Sequence, residues 1–339
     1  MCIRVDPWLK NSFSLNSDDP KGSCCSPNRA HIDGNPPEFA DGQFQRITTG
    51  STEGMKLIPG GEFLMGNEGD YGFPADGEGP VHTVEVAPFY MDATCVTNEQ
   101  FNDFINATHY KTEAENFGWS FVFYGHLTPK QQATAVRARV LGSEWWCRID
   151  GATWRHPEGP GTNIKKRWKY PVIHVSWHDV LAYCEWTGKR LPTEAEWEFA
   201  ARGGLVQKRF PWGDELEPGG KHRMNVWQGK FPVQNTEADK YYGLAPAQTY
   251  QANGYGLYCI TGNVWEWVWD WFHPDYYQKS PRENPTGPTA TDRRMMRGGS
   301  YLCHESYCNR YRTDARSSNT PDSSTGNLGF RCVRDIDPQ

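Results

Sequence analysis

The sequence predicts an α+β domain with few and short regular elements, and three observations predict it. Gly contributes 34 and Pro 24 of the 339 residues, and aromatics reach 14% through 15 Trp, 16 Tyr and 16 Phe. Helical periodicity is confined to three stretches ahead of residue 204, while the rest is short apolar pieces between Gly, Pro and Asn turns. Turn-rich chain pinned by large aromatics argues against a helical bundle. Residues 1–50 are rich in Asn, Ser, Asp, Pro and Gly without apolar period and read as a flexible tail, which carries the vicinal Cys24 and Cys25. Residues 51–339 are expected to fold as one domain, since neither a repeat nor a second domain emerges.

Leu57, Ile58, Phe63, Leu64 and Met65 surround the Pro59-Gly60-Gly61 turn, which predicts two short strands joined as a hairpin. Val84 and Val86 alternate with Thr83 and Glu85 as in a half-buried strand. Thr97 to Gln100 then forms a capping box ahead of Phe101, Phe104 and Ile105. A second helix follows Ser176, because Trp177, Val180, Leu181 and Cys184 fall at i, i+3, i+4 and i+7 and Gly188 stops it. Thr193 to Glu196 is another capping box, closed by Gly203 and Gly204. These two helices are expected side by side, joined by Lys189-Arg190-Leu191. Beyond Gly204 no helix is predicted. Trp265, Trp267, Trp269 and Trp271 alternate at period two, which places four indoles on one strand face, opposite Glu266, Val268 and Asp270.

With 35 Lys and Arg against 41 Asp and Glu, the formal charge is −6, which disfavours nucleic acid and anionic membrane as partners and favours a cationic substrate segment. No run of eighteen apolar residues exists, so no transmembrane helix is expected. The ten cysteines include no C-x-x-C pair. The start of the chain lacks the pattern of a secretory signal, so a cytoplasmic location is expected, with the endoplasmic reticulum lumen or secretion as the alternative if a leader was removed.

The most informative local arrangement is Gly298-Gly-Ser300-Tyr-Leu-Cys303-His-Glu-Ser-Tyr307-Cys308-Asn-Arg310-Tyr-Arg312. Two thiols five positions apart can be a disulfide, a redox pair or ligands for a soft cation of low coordination number such as Cu(I); two thiolates alone do not satisfy tetrahedral zinc. Arg310 and Arg312 would favour thiolates if they lie near the sulfurs. Cys184 on its helix face and Cys332 in a terminal strand read most simply as buried free thiols. Asn225, Asp239, Asn263 and Glu266 are oxygen donors in turn-rich chain, as calcium requires, but without the spacing of an EF-hand; solvated loop residues are the plainer reading. The Trp stripe reads as core, and His156 as a loop histidine.

Seven segments resemble the formylglycine-generating enzymes, also called sulfatase-modifying factors. They are Ile58-Pro-Gly-Gly-Glu-Phe-Leu-Met-Gly66, Trp154-Arg-His-Pro-Glu-Gly-Pro160, Gly188-Lys-Arg-Leu-Pro-Thr-Glu-Ala-Glu-Trp-Glu198, Phe210-Pro-Trp-Gly213, Gly262-Asn-Val-Trp-Glu-Trp267, Gly298-Gly-Ser-Tyr-Leu-Cys303 and Asn327-Leu-Gly-Phe-Arg331. The pair in Cys-His-x-Ser-Tyr-Cys308, followed by Arg-Tyr-Arg and Asn-Thr-Pro-Asp322, is the more specific match. The resemblance implies one compact domain with a C-type-lectin-like core, expected as a monomer. It implies aerobic oxidation of the cysteine in a Cys-x-Pro-x-Arg motif of unfolded sulfatases to Cα-formylglycine, with O2 and a thiol reductant as co-substrates. By the same resemblance Cys303 and Cys308 hold Cu(I), and Ser300, Trp265 and Tyr307 surround the oxygen position. An open groove is implied, with both thiols on its surface and Trp145, Trp146 and Trp154 as candidates for its wall.

Two structural Ca2+ sites are implied as well. Asn225, the Val226 carbonyl, Asp239 and the Tyr241 carbonyl match the first. Gly262, Val264 and Glu266 match the second, but Cys259 stands where Asn is expected, and a thiol is a poor ligand for a hard cation. Cys184 and Cys332 match a family disulfide, whereas a second pair would fall at Ala201 and Thr313 and is absent. A non-catalytic sulfatase-binding paralogue and a lectin-like binding module are the competing functions. An iron-dependent sulfoxide synthase is disfavoured, since no His-x-x-x-His-x-Glu motif is present.

Overall fold

Five α-helices, Asn98–Thr108, Glu113–Phe117, Pro129–Thr134, Trp177–Thr187 and Glu194–Arg202, each begin on a Thr or Ser that accepts from the N3 amide while the N3 side chain returns to the cap. These reciprocal caps satisfy backbone donors that a short helix otherwise leaves unpaired. A computed structural model of the protein describes residues 26–29, 32 and 43–337, and within them these helices sit among short strands. Past residue 204 the only helical pieces described are single turns at Pro218–Gly220 and Tyr276–Gln278, as expected. Cys24 and Cys25 lie outside the described residues.

The strands are β1 (Met55–Ile58), β2 (Gly61–Met65), β3 (His82–Val86), β4 (Phe89–Asp92), β5 (Trp119–Phe123), β6 (Val136–Val140), β7 (Ser143–Asp150), β8 (Gly229–Lys230), β9 (Gln234–Asn235), β10 (Trp265–Trp271), β11 (Arg294–Arg297), β12 (Ser317–Asn319), β13 (Leu328–Phe330) and β14 (Val333–Asp335). They form small sheets in the orders β1-β4-β14, β12-β11-β10-β13, β2-β3, β5-β7-β6 and β8-β9. The expected hairpin across Pro59-Gly60-Gly61 does not form. β1 pairs with β4 and β2 with β3, so the turn sends the two strands to different sheets. Local apolar content marks strands; it does not choose their partners.

Around β10 the alternation does what period two requires. Trp265 and Trp267 are fully buried on one face, in a cluster with Trp177, Val180, Tyr183 and Cys184 of one helix. Val268 faces the other way, in a cluster with Ala195, Trp197, Ala200 and Ala201 of the next. The two helices expected side by side therefore pack on opposite faces of this sheet. The stripe is interrupted by a register shift between Trp267 and Trp271. There the buried Arg294 guanidinium lies 3.7 Å from the Trp177 ring centroid and 3.5 Å from that of Trp271.

Buried ion pairs tie the Glu194–Arg202 helix to the loops beyond it. Arg297 reaches Glu194 at 2.9 Å and Glu198 at 2.5 Å, and Arg316 reaches Glu194 at 2.8 Å. The flexible-tail expectation fails for Ser26–Arg29, which are buried. The Arg29 amide donates to Ser323 Oγ at 2.9 Å and its side chain to the Asp322 carbonyl, hydrogen bonds that composition does not reveal. Further along the same stretch, Ile47 N donates to Asp335 at 2.7 Å.

Candidate active site and cation positions

The segment after β11 turns sharply at Gly298 and Gly299, with φ of 93° and 72°. A Cβ at Gly299 would lie 2.7 Å from the Arg310 carbonyl, so glycine is required where the chain folds back on itself. This fold-back brings Ser300, Cys303 and Cys308 into one turn. Cys303 N donates to the Ser300 carbonyl, and Tyr307 N and Cys308 N both donate to the His304 carbonyl. The Ser300 amide approaches Cys303 Sγ at 3.4 Å. Asn327 Nδ2 donates to Ser300 Oγ at 3.0 Å, and the Asn327 carbonyl accepts from Trp265 N. Trp265, Cys303 and Cys308 share one buried apolar cluster.

Trp145, Trp146, Ser300, Leu302, Cys303 and Tyr307 line a crevice too tight to admit a water molecule. Its aromatic wall is ordered by packing: Tyr307 stacks on Phe231 at 4.3 Å and meets the edge of Trp145 at 5.1 Å. Trp145 and Trp146 border this crevice and are buried in the aromatic cluster around Phe123 and Trp227. Trp154 does not line this crevice and packs edge-on to Phe101 at 5.3 Å. The expectation of two thiols on a groove surface is corrected, since Cys303 and Cys308 are 1% and 0% exposed. Arg310 and Arg312 do not present free charge to the sulfurs. Arg310 pairs with Asp76, and Arg312 with Glu78 and Asp314. His156 is an exposed loop residue, its Nδ1 2.6 Å from the Thr162 carbonyl.

For copper the donor chemistry fits. Two soft sulfurs are buried in one turn, and among the described residues no group of three or more His, Cys, Asp or Glu is placed to hold a metal. Two thiols alone suit a low-coordinate soft cation and not zinc. For the first calcium position the residues also fit. Asn225 Oδ1 and Asp239 Oδ2 are buried and have no hydrogen-bond donor. The other Asp239 oxygen accepts from Tyr241 N at 3.0 Å, the Asn225 amide group donates to the Gly243 carbonyl, and Gln228 Nε2 donates to the Val226 carbonyl. Burial raises the Asp239 carboxyl, against the lowering effect of the Tyr241 amide hydrogen bond.

At the second position the residues do not fit. Glu266 Oε1 accepts from Arg331 Nη2 at 2.8 Å and Cys95 Sγ at 3.1 Å; Oε2 accepts from Arg331 Nε and Trp197 Nε1, both at 2.8 Å. Cys95 and Arg331 escaped the sequence reading because their link to Glu266 spans distant segments with no local signature. Asn327 also went unassigned, although its motif was legible. The Cys184 and Cys332 sulfurs approach to 3.7 Å, which is adjacency and not a bond.

The sulfatase-modifying factor enzyme 1-like domain family matches residues 41–336, and the chain belongs to that family. It is 56% identical over 287 residues to the formylglycine-generating enzyme of Streptomyces coelicolor, covering 85% of this chain and 91% of that protein. It is 43% identical over 295 residues to the inactive Cα-formylglycine-generating enzyme 2 of Bos taurus, covering 86% of this chain and 91% of that protein. Among solved structures, PvdO from Pseudomonas aeruginosa shares the fold with a TM-score of 0.60 at 24% identity, covering 83% of this chain and 94% of that one.

Proposed function

We propose that this protein oxidises the cysteine of a Cys-x-Pro-x-Arg motif in unfolded sulfatases to Cα-formylglycine, with Cys303 and Cys308 as the working thiols and Cu(I) as the metal they hold. The observation that carries this reading is the turn itself. Both thiols share one buried cluster, and Cys303 faces a tight aromatic-walled crevice.

Converting a thiol-bearing methylene group to an aldehyde removes two electrons and expels sulfide. O2 accepts four electrons on going to water, so two more come from a pair of thiols that leave as a disulfide. Atoms then balance as cysteine, O2 and two thiols giving aldehyde, hydrogen sulfide, water and disulfide. Copper supplies the single-electron reactivity toward O2 that closed-shell thiols lack. Cys303 and Cys308 supply the soft donors, and burial of the turn excludes water from them. The Ser300 amide is placed to stabilise negative charge on Cys303 Sγ. The Asn327 side chain fixes the Ser300 hydroxyl, and the Tyr307 and Trp145 rings form a wall against which an extended substrate segment can lie.

The test is incubation with a Cys-x-Pro-x-Arg peptide, copper, a thiol and air, read by peptide mass. Wild-type protein should convert the peptide, and Cys303→Ala or Cys308→Ala should abolish conversion. Because both thiols belong to the core, thermal unfolding of each variant is measured alongside. A folded Cys303→Ala protein with near-normal turnover would overturn the assignment, while peptide binding without conversion by wild type would favour a binding paralogue.

A further inference from the structure

We infer that this chain has replaced the second calcium position by a metal-free cluster of Arg331, Glu266, Cys95 and Trp197, so that it carries a single structural calcium at Asn225 and Asp239. A calcium ion takes six to eight oxygen ligands, and a carboxylate is the strongest of them. Glu266 cannot serve, because all four of its lone-pair directions are already taken by Arg331 Nε and Nη2, Trp197 Nε1 and Cys95 Sγ. The Arg331 fork is bidentate, the strongest geometry a carboxylate can meet. The same guanidinium donates to the carbonyls of Asp92 and Tyr258 at 3.2 and 3.0 Å, so the cation is fixed from several sides.

Charge reinforces the geometry. Arg331 is fully buried and Glu266 nearly so, and their charges cancel. Adding a divalent cation would leave two uncompensated positive charges in the interior, a cost that burial makes large. Cys259 offers no replacement ligand, since its thiol donates to the Thr249 carbonyl at 3.1 Å. Within residues 259–266 the one buried side-chain oxygen without a partner is the Thr261 hydroxyl, a single neutral ligand. The first position differs in kind, with two unpartnered oxygens, one of them from a carboxylate.

The inference is independent of the proposed activity and is tested by counting bound calcium. Full-length protein is saturated with calcium, and stoichiometry is read by native mass spectrometry and equilibrium dialysis, for wild type and for Asp239→Asn. Wild type should bind one calcium and Asp239→Asn none. Two equivalents on wild type, or one retained by folded Asp239→Asn, would overturn the inference. Should Asp239→Asn fail to fold, Asn225→Ala takes its place: it should bind none, and one calcium retained by the folded variant would overturn the inference. No calcium on wild type would sink the first position and still support the cluster at Glu266. Cys259→Asn serves as a second probe: it should leave the count at one, because restoring an amide oxygen does not free Glu266, and a count of two would overturn the inference.

Discussion

The two places where the resemblance expects calcium solve opposite problems. At Asn225 and Asp239 the interior holds an anion with no ion pair among the described residues and two oxygens with no donor. At Glu266 the interior holds an anion whose every acceptor site is filled by a guanidinium, an indole and a thiol. A counter-charge stabilises a buried carboxylate, and the fold can provide it either as an exchangeable ion or as part of the chain. The first makes stability depend on the medium, and the second builds the cation into the chain just past the strand Leu328–Phe330.

The largest expected break of this contrast is Arg331→Ala. It strands Glu266 in the core without its charge partner, and loss of one member of a buried pair costs about 3–5 kcal/mol. Urea unfolding should show that loss in full whether or not chelator is present. A variant within experimental error of wild type would mean that Glu266 is compensated by something else.

Next in size is removal of calcium. A ligand present at about one hundred times its Kd contributes about 2.7 kcal/mol to folding. Chelation should lower the thermal midpoint of wild type by a corresponding amount and leave Asp239→Asn unmoved. Equal sensitivity of the two proteins would place the calcium elsewhere. Activity should fall only as the fold does, since neither Asn225 nor Asp239 lines the crevice at Cys303.

The smallest effect separates Cys259 from both positions. Burial pushes its thiol up to about 12. The folded chain therefore keeps the proton while the unfolded chain loses it near about pH 8.5, and stability falls as pH rises through that window. One retained proton corresponds to about 1.4 kcal/mol per pH unit at most. Cys259→Ala should match the wild-type pH dependence below about pH 8 and lose less stability above about pH 9. Parallel curves throughout would mean that the thiol ionises freely in the fold.

Much of the fold was legible because its signals are local. Capping boxes at Thr97 and Thr193 need only four consecutive residues, the apolar spacing after Ser176 only eight, and each marks a helix where expected. The Trp265–Trp271 alternation marked a strand, since period two is a property of one strand by itself. The thiol turn was legible for the same reason, with glycine where φ must be positive and two cysteines a short turn apart. The Cys184 and Cys332 adjacency came from resemblance, and the 3.7 Å separation supports the contact without a bond.

What the sequence by itself determined is where three of the helices and the Trp265–Trp271 strand lie, because capping and periodicity are settled over a few positions. The short helices Glu113–Phe117 and Pro129–Thr134 carried too little apolar period to be read. Only the tertiary structure decided which strands pair, that Ser26–Arg29 dock on the turn around Ser323, that two consecutive helices lie on opposite faces of one sheet, and that both thiols are buried. It alone decided the fate of Glu266, whose partners Cys95 and Arg331 are 171 and 65 positions away. The physical reason is common to all of these. A local pattern states what a side chain can do, but the charge, the donor or the apolar face that it meets arrives from elsewhere in the chain, and a buried polar group takes whichever partner satisfies it.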